Sequence, residues 1–248
     1  MALRFFSRLP TGSAPHEPPS LDRIARILAL ASLVIAAGPV LVLFVALSIG
    51  LPPLFACVLG AAAFATITGA MSEDAIADAA DGLFGGTTVE RRLDIMKDSR
   101  HGTYGVLAIV FFIALKVSAL AAIAEVDALA APLVWMAATI LARSGAMGMA
   151  LALPPARATG AAATAGRVSR NAFGLGFVFA MITGAVLAIP FTGFSGLALG
   201  LVGSAFVVWG WIWVCKKLVG GQTGDLIGAS QALVEIVLLG AFVHAIIA

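Results

Sequence analysis

Residues 51–71 read LPPLFACVLGAAAFATITGAM, a stretch without a charged side chain. Because a helix rises about 1.5 Å per residue, roughly 20 apolar residues cross the ~30 Å hydrocarbon core of a bilayer, and this stretch is long enough. The whole chain of 248 residues is 61% hydrophobic and 11% charged. A soluble domain is closer to half apolar and a quarter charged. Since the apolar runs also lack the two-residue alternation of barrel strands, the sequence predicts an all-α membrane protein.

Seven apolar runs are each near the length of a membrane span. Their approximate bounds are 25–49, 52–71, 103–124, 129–153, 172–190, 196–214 and 229–248. Basic residues lie before the first run and in every second connection, whereas the other connections contain none. Such an asymmetry places the basic connections in the cytoplasm. We therefore predict a polytopic helical bundle of about seven transmembrane helices in the inner (cytoplasmic) membrane, with a cytoplasmic N-terminus. It forms a single integral membrane domain over residues 1–248, with a cytoplasmic N-terminal segment at 1–24.

Four carboxylates follow the quoted stretch, in EDAIADAADG at residues 73–82. If the helix continues into this segment, Asp74, Asp78 and Asp81 lie on one face, with Glu73 on the flank. Carboxylates crowded beside hydrocarbon become protonated or bind a cation. A solvated acidic helix end is the plainer interpretation, but no lysine lies among them and the residues between them are apolar. An all-oxygen site suits Mg²⁺, Mn²⁺ or Ca²⁺, so the cluster predicts a metal site.

Glycines and basic residues follow the carboxylates. Gly85 and Gly86 allow a close backbone approach, and the cations after them are Arg91, Arg92, Lys97 and Arg100. Carboxylates with a metal beside glycines and cations are the combination used for phosphoryl transfer. We therefore predict that residues 72–102 form a cytoplasmic active-site loop. For Arg91 and Arg92, a purely topological role under the positive-inside rule is the alternative.

A second cytoplasmic active-site loop is predicted at residues 215–228. There Thr223, Gly224 and Asp225 precede an apolar run. The N–H groups at a helix start favour an anion, and the carboxylate next to them offers a further ligand for a metal. Arg143 lies inside the fourth apolar run, where a guanidinium is costly. It either pairs with an acidic residue inside the bundle or contacts a substrate phosphate, and the sequence leaves both open.

Four blocks of the chain resemble the signature blocks of the cobalamin synthases, membrane enzymes of the late vitamin B12 pathway. The blocks are LRFFSRLPTG at 3–12, EDAIADAADG at 73–82, MKDSRHGTYG at 96–105 and GGQTGDLIGA at 220–229. Their order and their spread along the chain make the resemblance more specific than any single motif. Ser72 and Ala75 depart from the histidine and glycine common in that family.

The resemblance implies an Mg²⁺-dependent transfer of adenosylcobinamide phosphate from adenosylcobinamide-GDP. The acceptor is the 5′-hydroxyl of α-ribazole or of its 5′-phosphate. GMP is released, and adenosylcobalamin or its 5′-phosphate forms. The lipid bilayer is the other expected partner, nucleic acid is not expected, and the sequence leaves the oligomeric state open.

The residue patterns and the resemblance together give the candidate site. The expected catalytic residues are Asp74, Asp78, Asp81 and Asp225. The expected metal ligands are Glu73, Asp74, Asp78 and Asp81. The expected substrate-binding residues are Arg8, Gly85, Gly86, Lys97, Asp98, Ser99, Arg100, Arg143, Thr223 and Gly224.

Two other functions remain as alternatives. A CDP-alcohol phosphotransferase also uses aspartates on membrane helices, but its signature joins Asp-Gly to an Ala-Arg pair, and here LFGG follows Asp81 and Gly82. A cation-coupled transporter is the second alternative. Transporters often have internal repeats and charges at the bilayer midplane. This chain has no convincing repeat, and its acidic cluster lies at the end of an apolar run.

Overall fold

The computed structural model describes residues 1–12, 18–98, 100–158 and 161–248. Over these ranges the chain forms ten α-helices and no β-strand, which confirms the predicted all-α class. The helices are α1 (Ala2–Phe6), α2 (Leu21–Ser48), α3 (Pro53–Thr68), α4 (Met71–Gly85), α5 (Val89–Ile95), α6 (Thr103–Val126), α7 (Ala130–Ala152), α8 (Ala161–Ala165), α9 (Arg170–Val219) and α10 (Gly224–Ile247).

Several helices are long and apolar enough to cross a membrane. Among the described residues these are α2, α6, α7, α9 and α10, and the bent pair α3 and α4 makes a sixth if it is counted as one span. The prediction of a polytopic membrane helical bundle is therefore confirmed. The count of seven spans and the cytoplasmic side of the N-terminus stay predictions.

Helix α9 folds back on itself. As a straight helix its 50 residues would reach about 75 Å, more than twice the hydrocarbon thickness. The helical backbone breaks at Gly193, with φ 63° and ψ 178°. A Cβ placed on Gly148 of α7 would lie 3.9 Å from the ring of Phe173 and 3.7 Å from Val208. Those two residues would lie about 50 Å apart along a straight helix, so the two arms of α9 run antiparallel. Each arm corresponds to one of the apolar runs in the sequence.

The carboxylate-bearing segment is a separate helix. Helix α3 ends at Thr68, and Gly69 and Ala70 both take left-handed backbone conformations, with φ 67° and 57°. Helix α4 then begins at an angle of 83° to α3. The continuous helix assumed from the sequence is therefore wrong, because two left-handed residues end the first helix. The carboxylate spacing survives, since α4 contains all four acidic residues.

The two predicted active-site loops are also mostly helical. Residues 72–102 comprise most of α4, all of α5 and the short segments after them, and residues 215–228 comprise the end of α9 and the start of α10. The segments of the basic connections meet at one end of the bundle. Ala156 N donates to Gln222 O at 2.8 Å, and Ser169 N donates to the Asp22 carboxylate at 2.9 Å. This end of the bundle therefore gathers the motifs that lie far apart in sequence.

Helix α7 is the central helix, and its side chains are buried along nearly its whole length. Small residues let neighbouring helices approach it closely. A Cβ on Gly60 of α3 would lie 3.2 Å from the ring of Trp135, and a Cβ on Gly184 of α9 would lie 2.7 Å from Leu141. Helices α3 and α9 thus approach the central helix α7 closely at a glycine.

A buried ion pair joins α6 to α10 within the apolar core. Lys116 Nζ lies 3.4 Å from Glu235 Oε1, and the two side chains are 1% and 0% exposed. Trp135 Nε1 donates to the same oxygen at 3.0 Å, and the Lys116 ammonium lies 4.0 Å from the centre of the Phe112 ring. Charges at this depth persist only when they are paired.

We predict that Lys116→Met lowers the stability of the folded protein by about 3 kcal/mol or more, because it leaves Glu235 charged and buried without its cation. The double variant Lys116→Met with Glu235→Gln should recover part of that loss. Thermal unfolding of wild type, both single variants and the double variant in detergent provides the measurement. Equal midpoints for wild type and Lys116→Met would contradict a structural role for the pair.

The predicted orientation is testable at the two ends of the bundle. In a background with Cys57→Ala and Cys215→Ala, which removes two buried thiols, single cysteines replace exposed Thr87, between α4 and α5, and exposed Ser195, beside the α9 turn. A membrane-impermeant maleimide applied to spheroplasts should label Ser195→Cys. It should label Thr87→Cys only after the cells are permeabilised. The reverse pattern would place the basic end outside the cytoplasm.

Candidate active site

Two aspartates of α4 and one histidine form a compact group. Asp74 and Asp78 are one helical turn apart, and His101 reaches them from the segment before α6. His101 Nε2 lies 3.8 Å from Asp74 Oδ1, and His101 Nδ1 lies 3.6 Å from Asp78 Oδ1. One ligand atom from each residue falls within 4.8 Å of the other two. The Asp74 side chain is 63% exposed and the Asp78 side chain is 15% exposed. The group therefore lies at the protein surface, and Asp78 is the more buried of its two carboxylates.

His101 is not among the candidate residues expected from the sequence. A single histidine after Arg100 has no ligand partner at a recognisable spacing. Its place depends on how the segment before α6 is held against α4, which is a tertiary contact. In the sequence, the indication of a role for His101 was its position within the MKDSRHGTYG block.

Asp81 faces the start of α6 and not the other aspartates. Gly102 N donates to Asp81 Oδ2 at 2.6 Å, and Gly105 N donates to Oδ1 at 2.9 Å. A carboxylate at a helix N-terminus is favoured because it accepts unpaired N–H groups and opposes the helix dipole. A Cβ on Gly102 would lie 2.7 Å from Asp81 Oδ1, and a Cβ on Gly105 would overlap the carboxylate. These contacts explain both glycines of the motif; a metal or catalytic role for Asp81 stays a prediction.

Glu73 also departs from the arrangement expected of it. Its side chain is 7% exposed, and Oε2 has no hydrogen-bond partner among the described residues. The Glu73 carboxylate acts electrostatically on Arg143, which lies inside the bundle. Glu73 is not part of the group formed by Asp74, Asp78 and His101 within the described chain. Its role as a metal ligand stays a prediction.

The turn before α10 brings a further aspartate to the same place. Thr223 caps α10 by accepting from Leu226 N at 3.2 Å, and its hydroxyl donates to Asp225 Oδ2 at 3.3 Å. Gln222 N donates to Pro154 O at 2.8 Å, which fixes the turn against the segment after α7. Asp225 and Gly224 line a cavity of about 220 Å³ whose wall also contains Asp74. The TGD turn and the acidic block of α4 therefore share one cavity.

Arg157 lies beside this turn and was not predicted as a site residue. The positive charge of Arg157 stabilises the ionised form of the Asp225 carboxylate. One of its Nη atoms donates to Leu93 O, and its buried Nε has no partner in the part of the chain that the structure describes. In the sequence Arg157 is one of several basic residues of a connection, and only the contact between residues 154–156 and Gln222 brings it here.

Arg143 is almost fully buried in α7 and lines the same cavity. Its side chain is 2% exposed, and Nε and Nη1 have no hydrogen-bond partner among the described residues. The guanidinium carbon lies 5.6 Å from the centre of the Phe6 ring and 5.4 Å from that of Phe64. The carboxylates of Glu73 and Glu235 act on it electrostatically. The structure thus gives Arg143 acidic neighbours and a place beside the cavity.

Several other expected substrate-binding residues are not among the described residues that line this cavity. Arg100 and Asp98 pair with each other, with 2.7 Å between Arg100 Nη2 and Asp98 Oδ2, and this hydrogen bonding lowers the pKa of Asp98 to about 2. Ser99 lies outside the described residues, and Lys97 and Gly85 are exposed. Their roles stay predictions.

Two of these residues have a packing role in the structure. A Cβ on Gly86 would lie 2.8 Å from the backbone of Arg92, so this glycine permits α4 and α5 to pack. Arg8 is exposed, its backbone N–H donates to Ile67 O at 2.8 Å, and its guanidinium lies against Gly69 at the break between α3 and α4. Arg92 donates to Leu218 O at 3.2 Å and so connects α5 to the end of α9.

The donor set suits a hard divalent cation. Asp74 and Asp78 offer carboxylate oxygens, and His101 offers a nitrogen that Mn²⁺ or Mg²⁺ accepts less readily than oxygen. Asp225 is near enough to act electrostatically on Asp78 as a like charge. Carboxylates that face one another become protonated or bind a cation, and the residues present fit a bound Mg²⁺.

Comparisons with known proteins agree on one family. The chain matches the family model described as Cobalamin-5-phosphate synthase over residues 1–243. Relatives named adenosylcobinamide-GDP ribazoletransferase include one from Azorhizobium caulinodans, which is 38% identical over 98% of this chain and 94% of its own length. The relative from Xanthobacter autotrophicus is 41% identical over 96% and 92%, and that from Brucella anthropi is 37% identical over 99% and 95%. No solved structure matches the chain.

We predict that Gly105→Ala lowers both the thermal stability and any activity of the protein, because the added methyl group displaces the Asp81 carboxylate from the start of α6. Gly240→Ala is the matched control, since a Cβ at that helical glycine meets nothing within 4 Å. Unfolding midpoints in detergent should fall by several degrees for the first variant and stay near wild type for the second. Equal midpoints would show that the Asp81 contact does not hold α6.

Proposed function

This chain belongs to the cobalamin-5-phosphate synthase family, and from that membership we propose that it transfers adenosylcobinamide phosphate from adenosylcobinamide-GDP to α-ribazole or its 5′-phosphate. The products are GMP and adenosylcobalamin or its 5′-phosphate, the last steps of vitamin B12 biosynthesis. The observation that carries the proposal is the meeting of Asp74, Asp78 and His101 with the Asp225 turn beside one cavity. Family membership gives no support to a phospholipid synthase or a transporter.

Asp74 and Asp78 are the proposed ligands of Mg²⁺, with Asp225 facing them from α10. Two acidic residues on one helical turn and a third on a packed helix are the hard oxygen donors that this ion prefers. When bound, the ion supplies positive charge that neutralises the oxygens of the substrate diphosphate. His101 lies 3.8 Å from the Asp74 carboxylate and 3.6 Å from that of Asp78, so a small movement would bring it within hydrogen-bond distance, where it would orient either carboxylate.

The reaction itself forms one phosphorus–oxygen bond and breaks another. The 5′-hydroxyl expected from the sequence cannot serve when the acceptor is the 5′-phosphate, because that oxygen is already esterified. A free hydroxyl of the acceptor's ribose therefore attacks the phosphorus attached to cobinamide, and the electron pair of the broken anhydride bond leaves with GMP. The proton of the attacking hydroxyl passes to a carboxylate of the site. Most of the catalytic effect in such transfers comes from positioning and from charge placed around the phosphorus.

The cations around the site have separate proposed tasks. Arg157, beside Asp225, is placed to balance negative charge that develops on the phosphates. Lys97, Arg100 and the N-terminal Arg8 lie on exposed segments outside the cavity, where they are available to the larger donor substrate. The concentration of basic residues at this end supports a site that faces the cytoplasm from the inner membrane.

The proposed function predicts that purified protein in detergent releases GMP from adenosylcobinamide-GDP when α-ribazole and Mg²⁺ are present, and that EDTA abolishes the release. Asp78→Asn should lower kcat/KM by about 100-fold or more, because it removes a charged ligand from the centre of the site. Chromatographic separation of GMP measures the rate.

Glu125→Gln is the matched control, since this exposed carboxylate lies near the opposite end of α6. Its rate should equal that of wild type. Folded wild-type protein without turnover would count against the reaction, whereas full activity of Asp78→Asn would exclude only this residue from the metal site.

A further inference from the structure

The cavity beside the carboxylates has two chemically different ends. Asp74, Asp225 and Gly224 form its polar part, next to the proposed site of phosphoryl transfer. The rest of the wall is largely apolar, and its large apolar side chains include Phe5, Phe6, Leu21, Met147 and Ile227. Its other polar side chains are the buried guanidinium of Arg143 and the neutral groups of Ser72 and Gln231. A ligand that fills the cavity therefore has an apolar portion attached to a polar reacting portion.

Size excludes the corrinoid from this space. The cavity volume is about 220 Å³, which suits a bicyclic base and leaves no room for a macrocycle with its amide side chains. The remaining candidates are the guanine of the donor and the dimethylbenzimidazole of the acceptor.

The charge around Arg143 excludes a phosphate from the deep end. Glu73 and Glu235 both act on the guanidinium, and Lys116 pairs with Glu235 at 3.4 Å. These two acids and two bases carry no net charge together, and Asp74 at the mouth adds negative charge. A neutral group is therefore favoured over an anion in this part of the cavity.

The hydrogen-bonding groups favour benzimidazole over guanine. Arg143 has only N–H donors to offer, and its Nε and Nη1 have no partner among the described residues. A benzimidazole nucleoside has one free ring nitrogen, which accepts a hydrogen bond, and a methylated edge that is hydrocarbon. Guanine also has N–H donors, which would lose their hydrogen bonds to water against Met147 and Ile227. The two neutral polar side chains of the wall, Gln231 and Ser72, already hydrogen-bond each other at 3.1 Å.

We propose that this cavity binds the dimethylbenzimidazole base of α-ribazole, with Arg143 as the donor to its free ring nitrogen and Phe6 as an apolar wall. The ribose then lies at the mouth between Asp74 and Asp225, where one of its free hydroxyls meets the phosphorus of the donor. This assignment rests on the proposed function, because it takes the substrate from that reaction. It makes Met147, Ile227 and Arg143 determinants of acceptor specificity.

Met147→Phe tests the assignment, since it narrows the cavity and leaves every charged group in place. The KM for α-ribazole should rise at least about tenfold, the size of effect that one ill-fitting group has in an apolar pocket. The KM for adenosylcobinamide-GDP should stay within twofold of wild type. Val208→Phe is the matched control, because Val208 lines a separate apolar cavity between α7 and the arms of α9, and both KM values should be unchanged.

Free 5,6-dimethylbenzimidazole provides a second measurement. It should inhibit wild type competitively with α-ribazole and should lose potency on Met147→Phe. An increased KM for the donor alone would place guanine in the cavity, and unchanged values for both substrates would remove the cavity from substrate binding; either result overturns the assignment.

A binding measurement separates this inference from the reaction. α-Ribazole alone should raise the thermal midpoint of wild type and of Val208→Phe but not of Met147→Phe. If wild type binds α-ribazole in this way without releasing GMP, the proposed reaction fails and the base cavity stands. Absence of any shift with wild type overturns the cavity.

Discussion

The contact between the Asp81 carboxylate and the first turn of α6 is the interaction on which the site depends. It satisfies two N–H groups that the helix itself cannot pair, and it does so within a largely buried space. The contact fixes the segment before α6 against α4, which sets His101 beside Asp74 and Asp78. Asp81, which is not part of the group formed by Asp74, Asp78 and His101 in the described chain, thereby determines where those three residues lie. Two glycines make the approach sterically allowed.

Charge inside the bundle follows a second constraint. Ionised groups in hydrocarbon persist only with opposite charges nearby, and the interior of this protein alternates acid and base from Glu73 through Arg143 and Glu235 to Lys116. The chain of charges runs from the wall of the cavity into the core around Trp135. Because its members balance one another, α4, α6, α7 and α10 are held in one relative arrangement beside the reacting groups. The apolar packing around α7 and these charges therefore support the same geometry.

Much of the fold was predictable from the sequence, because the length of an apolar run is set by consecutive residues and does not depend on contacts between distant segments. Six of the seven runs in the sequence fall on α2, α6, α7, the two arms of α9 and α10, and the run at 52–71 falls on the shorter α3. The spacing of the aspartates survives in α4. What escaped prediction depends on contacts between distant segments. The break at Gly69 and Ala70 turns α4 nearly perpendicular to α3, so Glu73 points inward and Asp81 towards α6. Arg157 reaches Asp225 only because residues 154–156 pair with Gln222. The side of the membrane and the identity of the ion are not properties of the fold and stay predictions.

The first helix forms part of the cavity beside Asp74 and Asp225. Helix α1 has five residues, Ala2–Phe6, too few to be helical on their own in water. Phe5 and Phe6 nevertheless form part of the cavity wall, and the segment after them is tied to α3 by the bond from Arg8 N to Ile67 O. That part of the wall thus exists only while the N-terminal residues are docked. Local opening of this segment would cost less free energy than unfolding the bundle, so the pocket can lose this part of its wall while the carboxylates of α4 stay in place.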